Sequence, residues 1–476
     1  MFIGRQNELR GLEALRQKKT ASLVCILGRR RIGKSILVEQ FSKPFKKKLF
    51  FQGLGPDEDA DLKIQLKHFS KQLSEQTNTR EKHFVDWEDA FNGLTEYIKK
   101  NEVLIFFDEI SWMAQGDRNF AAKLKDSWDR KIKKNPNAIL ILCGSVSAWI
   151  QDNILQNANF EGRISLKIEL KELSWIEINE FLRKKGGHFH GLEKILLASV
   201  TGGVPKYLEE IYAHESVENN LLRLCFDPSG ILFNDYEYIF SSVLGRRTKT
   251  MEKIIRQCLT LKLTPSELSK KIKQPLNGDL TRNLQILDLS GFLSRDVMFL
   301  PNGKMAKISN LRVKDNYLRF YLKVIEPLKQ KILKGGKRLQ SLHDIKGFDG
   351  ILGLQFENLI LQNRDLIQRE LQISDSQLVC SAPFLQRKTS ENKGACQIDL
   401  MIQTSLDVIF VCEIKCLKSI GKSILHEMKK KISTLELPKR TSIKPVLIYE
   451  GEIADSARDE IEQYFFKIIH FSSIKT

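Results

Sequence analysis

Hydrophobic positions along the chain follow three spacings. Ser22 to Leu27, Val103 to Phe107 and Ala138 to Cys143 are short and almost unbroken apolar runs, the pattern of parallel strands buried on both faces. Ile36 to Phe41 continues as a helix after the first run, and Ile351 to Leu361 predicts another. Leu268 and Ile272 share a helix face behind Thr264-Pro265-Ser266-Glu267, which combines a hydroxyl cap, a proline at the first helical position and an acid three residues after the cap. A second helix from about Asp279 stops near Ser290-Gly291. Phe292 to Ile308 then predicts a two-stranded wing around Pro301-Asn302-Gly303-Lys304, so 246–328 reads as a winged helix-turn-helix with a linking helix. Gln397 to Ile402 alternates as a half-buried strand, and Val408 to Lys415 is a longer strand after a turn near Ser405.

Composition narrows the class. At about 150 residues per domain, 476 residues predict roughly three domains. The 42% of hydrophobic residues suffices for a core in each. No apolar run approaches the roughly 20 residues of a membrane span, and Met1 to Gln6 does not open a secretory signal. The 8 cysteines are scattered, mostly in apolar runs, without a paired CxxC or a Cys/His cluster. They point to a reducing, cytoplasmic setting rather than to zinc. The net charge of +18 favours a polyanionic partner, DNA or another nucleic acid, although charge of this size also serves solubility alone.

The first apolar run leads straight into Gly28-Arg29-Arg30-Arg31-Ile32-Gly33-Lys34-Ser35, followed by Ile36. This is GxxxxGK[ST] between a strand and a helix. Triphosphate needs the unpaired amides of the helix start, a compact ammonium at Lys34 and the Ser35 hydroxyl on Mg²⁺. The three arginines are expected to point outward. Asp108 and Glu109 end the second apolar run, where open sheets place ligands. Asp108 is expected to hold Mg²⁺, and Glu109 to orient or deprotonate the attacking water. Ser145, after the third run, either senses the γ-phosphate or caps a helix. No NKxD stretch for guanine is present, which tips the base towards adenine and the cofactor towards ATP.

Residues 1 to about 240 resemble the archaeal-type AAA+ ATPases of the STAND group. The resemblance rests on Phe2-Ile3-Gly4-Arg5-Gln6-Asn7-Glu8-Leu9, the phosphate loop, Phe107-Asp108-Glu109, Cys143-Gly144-Ser145 and Thr201-Gly202-Gly203-Val204-Pro205-Lys206-Tyr207-Leu208. It implies that Arg163, in Phe160-Glu161-Gly162-Arg163, is a phosphate-sensing or finger arginine, within its own subunit or across a homo-oligomer. Glu161 stands where the family usually has tyrosine. The Gly-Gly-Val-Pro segment is expected to open a helical lid, with Lys206 either touching phosphate or facing solvent. Asp315-Asn316-Tyr317-Leu318-Arg319-Phe320-Tyr321 resembles the run that links the winged helix to the C-terminal region in the same family, and its aromatic residues are expected to pack.

The C-terminal chemistry rests on Asp399 and on Glu413 with Lys415 two residues on. If their strands pair as a hairpin, both carboxylates converge on one metal, Mg²⁺ or Mn²⁺, with Lys415 near its water and Glu357 as an outer ligand. His426 is expected on a helix surface. Lys429-Lys430-Lys431 either engages backbone phosphate or faces water. The pattern resembles the PD-(D/E)xK nuclease superfamily, and residues 350 to about 450 resemble the DUF234 domain that follows these ATPases. The expected architecture is α/β: a P-loop NTPase core (1–180), a helical lid (181–245), the winged helix (246–328), a basic linker (329–345) and a restriction-endonuclease-like domain (346–476). The expected function is an ATP-dependent switch or motor coupled to a nucleic-acid-binding, metal-dependent nuclease domain. The alternative is a STAND-type signalling or scaffold ATPase whose nuclease-like domain only binds DNA or a protein partner.

Overall fold

The computed structural model describes residues 2–55, 61–98, 101–145, 148–244, 248–259, 262–299, 305–336, 339–388, 394–438 and 440–474. The chain divides into two compact units. One comprises Met1–Lys171, Ile239–Thr248 and Leu289–Gly291; the other comprises Glu172–Tyr238, Lys249–Asp288 and Phe292–Thr476.

In the first unit, β1 (Ser22–Leu27), β2 (Lys47–Gln52), β3 (Val103–Asp108), β4 (Ala138–Gly144) and β5 (Ile164–Glu169) form a parallel sheet of order β2-β3-β4-β1-β5. Alternate side chains of the apolar runs enter two separate cores. Leu23, Cys25, Leu27, Phe107 and Leu142 pack on one face with Phe69, Phe91 and Phe120. Val24, Ile26, Phe106 and Ile141 pack on the other with Leu37, Val38 and Phe41 of α1 (Lys34–Ser42). Burial on both faces is why these strands lack polar alternation. α2 (Phe120–Arg130) lies against the first core through Phe120, Leu124 and Trp128.

The second unit opens with helices Trp175–Lys184, Gly191–Thr201 and Val217–Phe226. Gly202 (φ 64°) and Gly203 (φ 72°) end the second of these in the left-handed region, and Pro205 starts the next helix, Pro205–Glu209. Lys206 pairs with Glu210 at 2.9 Å and Glu209 at 3.4 Å on that helix. The capping box at Thr264 opens α3 (Pro265–Ile272), with the Thr264 amide donating to Glu267 at 2.8 Å. α4 (Gly278–Leu289) follows, and β6 (Leu293–Phe299) pairs antiparallel with β7 (Met305–Val313). The wing's expected turn, Pro301 to Lys304, and Lys337 of the basic run lie outside the described residues. The start of that run is helical, within Glu326–Leu333, where Lys329 lies 3.3 Å from Glu237.

The wing is anchored by buried polar groups. Arg312 on β7 pairs with Asp296 on β6 at 2.7 Å and donates to Asn358 of α5 (Phe348–Gln362). Gln355 of α5 donates to the Asn316 carbonyl at 2.7 Å. The aromatic residues after the wing pack as expected: Tyr317 is fully buried, its ring 5.0 Å from Tyr207, and its hydroxyl donates to the Leu232 carbonyl at 2.9 Å.

A mixed sheet completes this unit. β8 (Leu378–Gln386), β9 (Cys396–Thr404), β10 (Val408–Ile420), β11 (Ser442–Ile453) and β12 (Lys467–His470) lie in the order β12-β11-β10-β9-β8. β8, β9 and β10 are antiparallel neighbours, whereas β10, β11 and β12 run parallel. α6 (Ser423–Thr434) covers the sheet with Ile424, Leu425 and Met428. All 8 cysteines are free thiols. Among the described residues, no helix is long and apolar enough to cross a membrane.

Candidate functional site

The phosphate loop joins β1 to α1. A Cβ at Gly28 would lie 2.7 Å from the Leu170 carbonyl oxygen, and Gly33 is left-handed at φ 91°, so both positions require glycine. The Lys34 Nζ is turned into the loop, donating to the carbonyls of Gly28 at 3.1 Å and Arg29 at 3.0 Å. The wrapping also corrects the expectation for the arginines. Arg30 and Arg31 are half-buried, but Arg29, whose carbonyl receives the Lys34 ammonium, is only 4% exposed. Arg5 was not singled out as a site residue. Its buried guanidinium donates to the carbonyls of Lys171 at 2.7 Å and Ile32 at 3.4 Å, tying the loop to the end of the sheet.

The sheet order brings three apolar run ends together. β4 lies between β1 and β3, so Ser145 follows the strand that separates Ser35 from Asp108 and Glu109. The Ser35 hydroxyl donates to Asp108 at 2.6 Å, and the Ser145 amide lies 3.5 Å from the Glu109 carboxylate. Glu109 sits at φ 49°, a left-handed conformation that disfavours a side chain. The turn fits because Gly53 faces it: a Cβ there would lie 2.8 Å from the Glu109 carbonyl oxygen. Burial pushes the Glu109 carboxyl up, with Asp108 adding to the rise and Lys34 opposing it. A hydroxyl and a carboxylate in contact beside a buried ammonium form an oxygen donor set suited to Mg²⁺ with phosphate. Ile36 is exposed on α1 beyond the loop.

Arg163 is engaged elsewhere on the same unit. It holds Asp129, at the end of α2, at 2.9 Å, and Lys125 and Lys133 reach the same carboxylate at 3.0 and 3.1 Å. These cations hold Asp129 well below the usual carboxylate range, with the Arg163 hydrogen bond the largest cause.

The second site is a cavity of about 670 Å³ in the C-terminal sheet domain. The hairpin expected from the sequence forms, with Cys412 opposite Leu400 and Val411 opposite Met401. Just past the end of that pairing, Asp399 and Glu413 both line the cavity, and Asp399 accepts from the Ile414 amide at 3.0 Å. Glu357 of α5 lines the same cavity and pairs with Lys262 at 3.4 Å. Lys415 lies 2.9 Å from Glu413, which is 1% exposed. Burial raises Asp399 to about 7, with Glu413 and Glu357 adding to the rise. Burial also raises Glu413, against the pull of Lys431 and Lys415.

Two participants were not assigned to this site from the sequence, where Lys431 stands only in the lysine run that engages phosphate or faces water. Lys431 reaches Glu413 at 2.6 Å, and Glu427, one turn earlier on α6, pairs with both Lys431 and Lys415. Their i, i+4 spacing puts them on one helix face, but it does not say that this face meets the cavity. His426 is exposed, as expected. Asp399 and Glu413 are hard oxygen donors whose mutual repulsion a divalent cation relieves, so the pair fits Mg²⁺ or Mn²⁺ with water or phosphate completing the shell. Among the described residues, no three His, Cys, Asp or Glu side chains gather as a protein-only metal cluster.

Residues 2–211 match the family model of an ATPase domain predominantly from Archaea. An uncharacterized protein of Methanocaldococcus jannaschii, MJECL04, is 24% identical over 366 residues, covering 75% of this chain and 76% of that protein. Among solved structures, the Walker-type ATPase PABY2304 of Pyrococcus abyssi aligns with a TM-score of 0.49 and 17% identity, over 68% of this chain and 96% of that one. The ORC2 protein of Aeropyrum pernix aligns at 0.42 and 14% identity, over 70% and 94%. With the loop, the sheet and the acidic turn described above, the matched region has the make-up of a P-loop ATPase domain similar to those of that archaeal family.

Proposed function

We propose that this chain is a STAND-type ATPase switch in which ATP binding and hydrolysis in the first unit control a nuclease-like domain that engages DNA or a protein partner. The observation that carries the proposal is the joining of Ser35 to Asp108, and of Glu109 to the Ser145 amide, behind a loop wrapped around Lys34. Loop amides and Lys34 bind the β- and γ-phosphates. Ser35 and Asp108 would hold Mg²⁺, which would supply positive charge against the phosphates. Glu109, ionised, orients the attacking water and takes its proton, and its burial-raised pKa brings it closer to the range where a carboxylate is an effective base. Ser145 keeps Glu109 aimed through its amide. Arg163 supplies positive charge to the transition state only if it leaves Asp129, within its own subunit or towards a neighbouring copy.

The experiment is a pair of variants assayed for both binding and turnover. Lys34→Ala is expected to lose ATP affinity, and Glu109→Gln to keep affinity and lose hydrolysis. Magnesium-dependent ATP binding that survives Lys34→Ala would overturn the assignment.

A second reading, an active metal-dependent nuclease, is favoured by the convergence of Asp399, Glu413 and Lys415 on one cavity. Against it stands the full engagement of Glu413 by two ammonium groups, which supports a domain that binds without cutting. Cleavage of single-stranded, duplex or branched substrates with Mg²⁺ or Mn²⁺, lost in Asp399→Ala, would favour the nuclease. Salt-sensitive binding without cleavage would favour the switch.

A further inference from the structure

Glu413, Lys415, Glu427 and Lys431 close a ring of alternating charge. Lys415 Nζ lies 2.9 Å from Glu413 Oε1 and 3.0 Å from Glu427 Oε2. Lys431 Nζ lies 2.6 Å from Glu413 Oε2 and 3.2 Å from Glu427 Oε1. Both oxygens of Glu413 therefore carry an ammonium. A divalent cation shared by Asp399 and Glu413 needs one of those oxygens, where it meets the repulsion of the ammonium already held there.

The two lysines are not equivalent. Lys415 belongs to the same strand as Glu413 and reaches both Glu413 and Glu427 from it. Lys431 stands on α6 one turn after Glu427, so a change of its own rotamers releases Glu413 without losing Glu427. Lys431 also acts on Asp399 through space, so the carboxylate pair feels its charge as a unit.

We propose that Lys431 is a built-in cationic latch: it occupies Glu413 in the cation-free protein, and entry of a divalent cation moves it onto Glu427. The latch rests on the reading of Asp399 and Glu413 as a cation pair, and it holds whether or not the domain cleaves. It makes cation binding an exchange of one positive charge for another, which weakens apparent affinity without removing a ligand.

Mn²⁺ binding to full-length, nucleotide-free protein, followed by electron paramagnetic resonance, tests the idea; the signal lost in Asp399→Asn defines the site. Lys431→Met is expected to tighten Mn²⁺ by roughly tenfold or more, and Lys431→Gln, which keeps a hydrogen-bond donor for Glu413, to shift in the same direction. Lys430→Met removes the same charge from the same cavity wall and is expected to shift affinity by no more than about twofold. Glu427→Gln is expected to weaken binding, because the displaced ammonium loses its alternative partner. Unchanged or weaker affinity in both Lys431 variants, or an equal gain in Lys430→Met, overturns the latch alone. Absence of Asp399-dependent Mn²⁺ binding in every variant overturns the cation-pair reading and the latch with it.

Discussion

Glu109 carries the chemistry of the first unit on a single side chain, and its surroundings set how it responds to pH. Burial raises its pKa, so the ionised base is present above that raised value and is lost as pH falls through it. The low-pH limb of the kcat profile for ATP hydrolysis is therefore expected above the range of a surface glutamate, and Glu109→Gln is expected to abolish that limb along with roughly 100-fold or more of the rate. The residue scale is also where sequence reading reached furthest and then stopped. Lys34, Ser35, Asp108 and Glu109 were legible because each has a fixed offset from the end of an apolar run. The Arg163 contact with Asp129 was not, since it joins residues 34 positions apart and depends on how α2 is laid on the sheet.

Within single elements, local chemistry and packing answer different measurements. Phe107 is fully buried on β3, with Phe51, Phe69 and Phe91 around it at 5.6 to 6.4 Å between rings. Phe107→Ala is expected to lower the stability of the first unit by about 3–5 kcal/mol, read from urea unfolding. Glu267, in the capping box of α3 and paired with Arg387, is held at about 2, with Arg387 the largest cause. A depressed carboxylate contributes stability that is complete above its unfolded pKa of about 4.5 and disappears as pH falls towards 2. Glu267→Gln is expected to flatten that part of the pH-stability curve. The α3 cap could be foreseen because every residue it needs is contiguous. Lys431 could not, because a run of three lysines on a helix does not say which one turns under the sheet, and that direction is decided by Ile424, Leu425 and Met428 entering the core.

For the whole molecule, the test is whether the sites answer independently. ATP at about a hundred times its Kd is expected to stabilise the nucleotide unit by about 2.7 kcal/mol, seen as a raised thermal transition. Lys34→Ala is expected to remove the shift, and Asp399→Ala to leave it in place. The order of elements was legible only where a strand carries an unbroken apolar run or a clear alternation, as β1, β3, β4, β9 and β10 do; β2, β5, β8, β11 and β12 went unread. Placing β4 between β1 and β3 was not legible either, since three apolar runs of similar length carry no record of which lies in the middle.

The left-handed turn at Glu109 has a consequence for evolution as well as for catalysis. A side chain there sacrifices roughly 1–2 kcal/mol of backbone comfort, so Glu109→Gly is expected to produce a protein that resists heat as well as or better than its parent while turning over no ATP. Selection for durability alone would erase this residue, and its persistence in a lineage would record a need for hydrolysis rather than for folding.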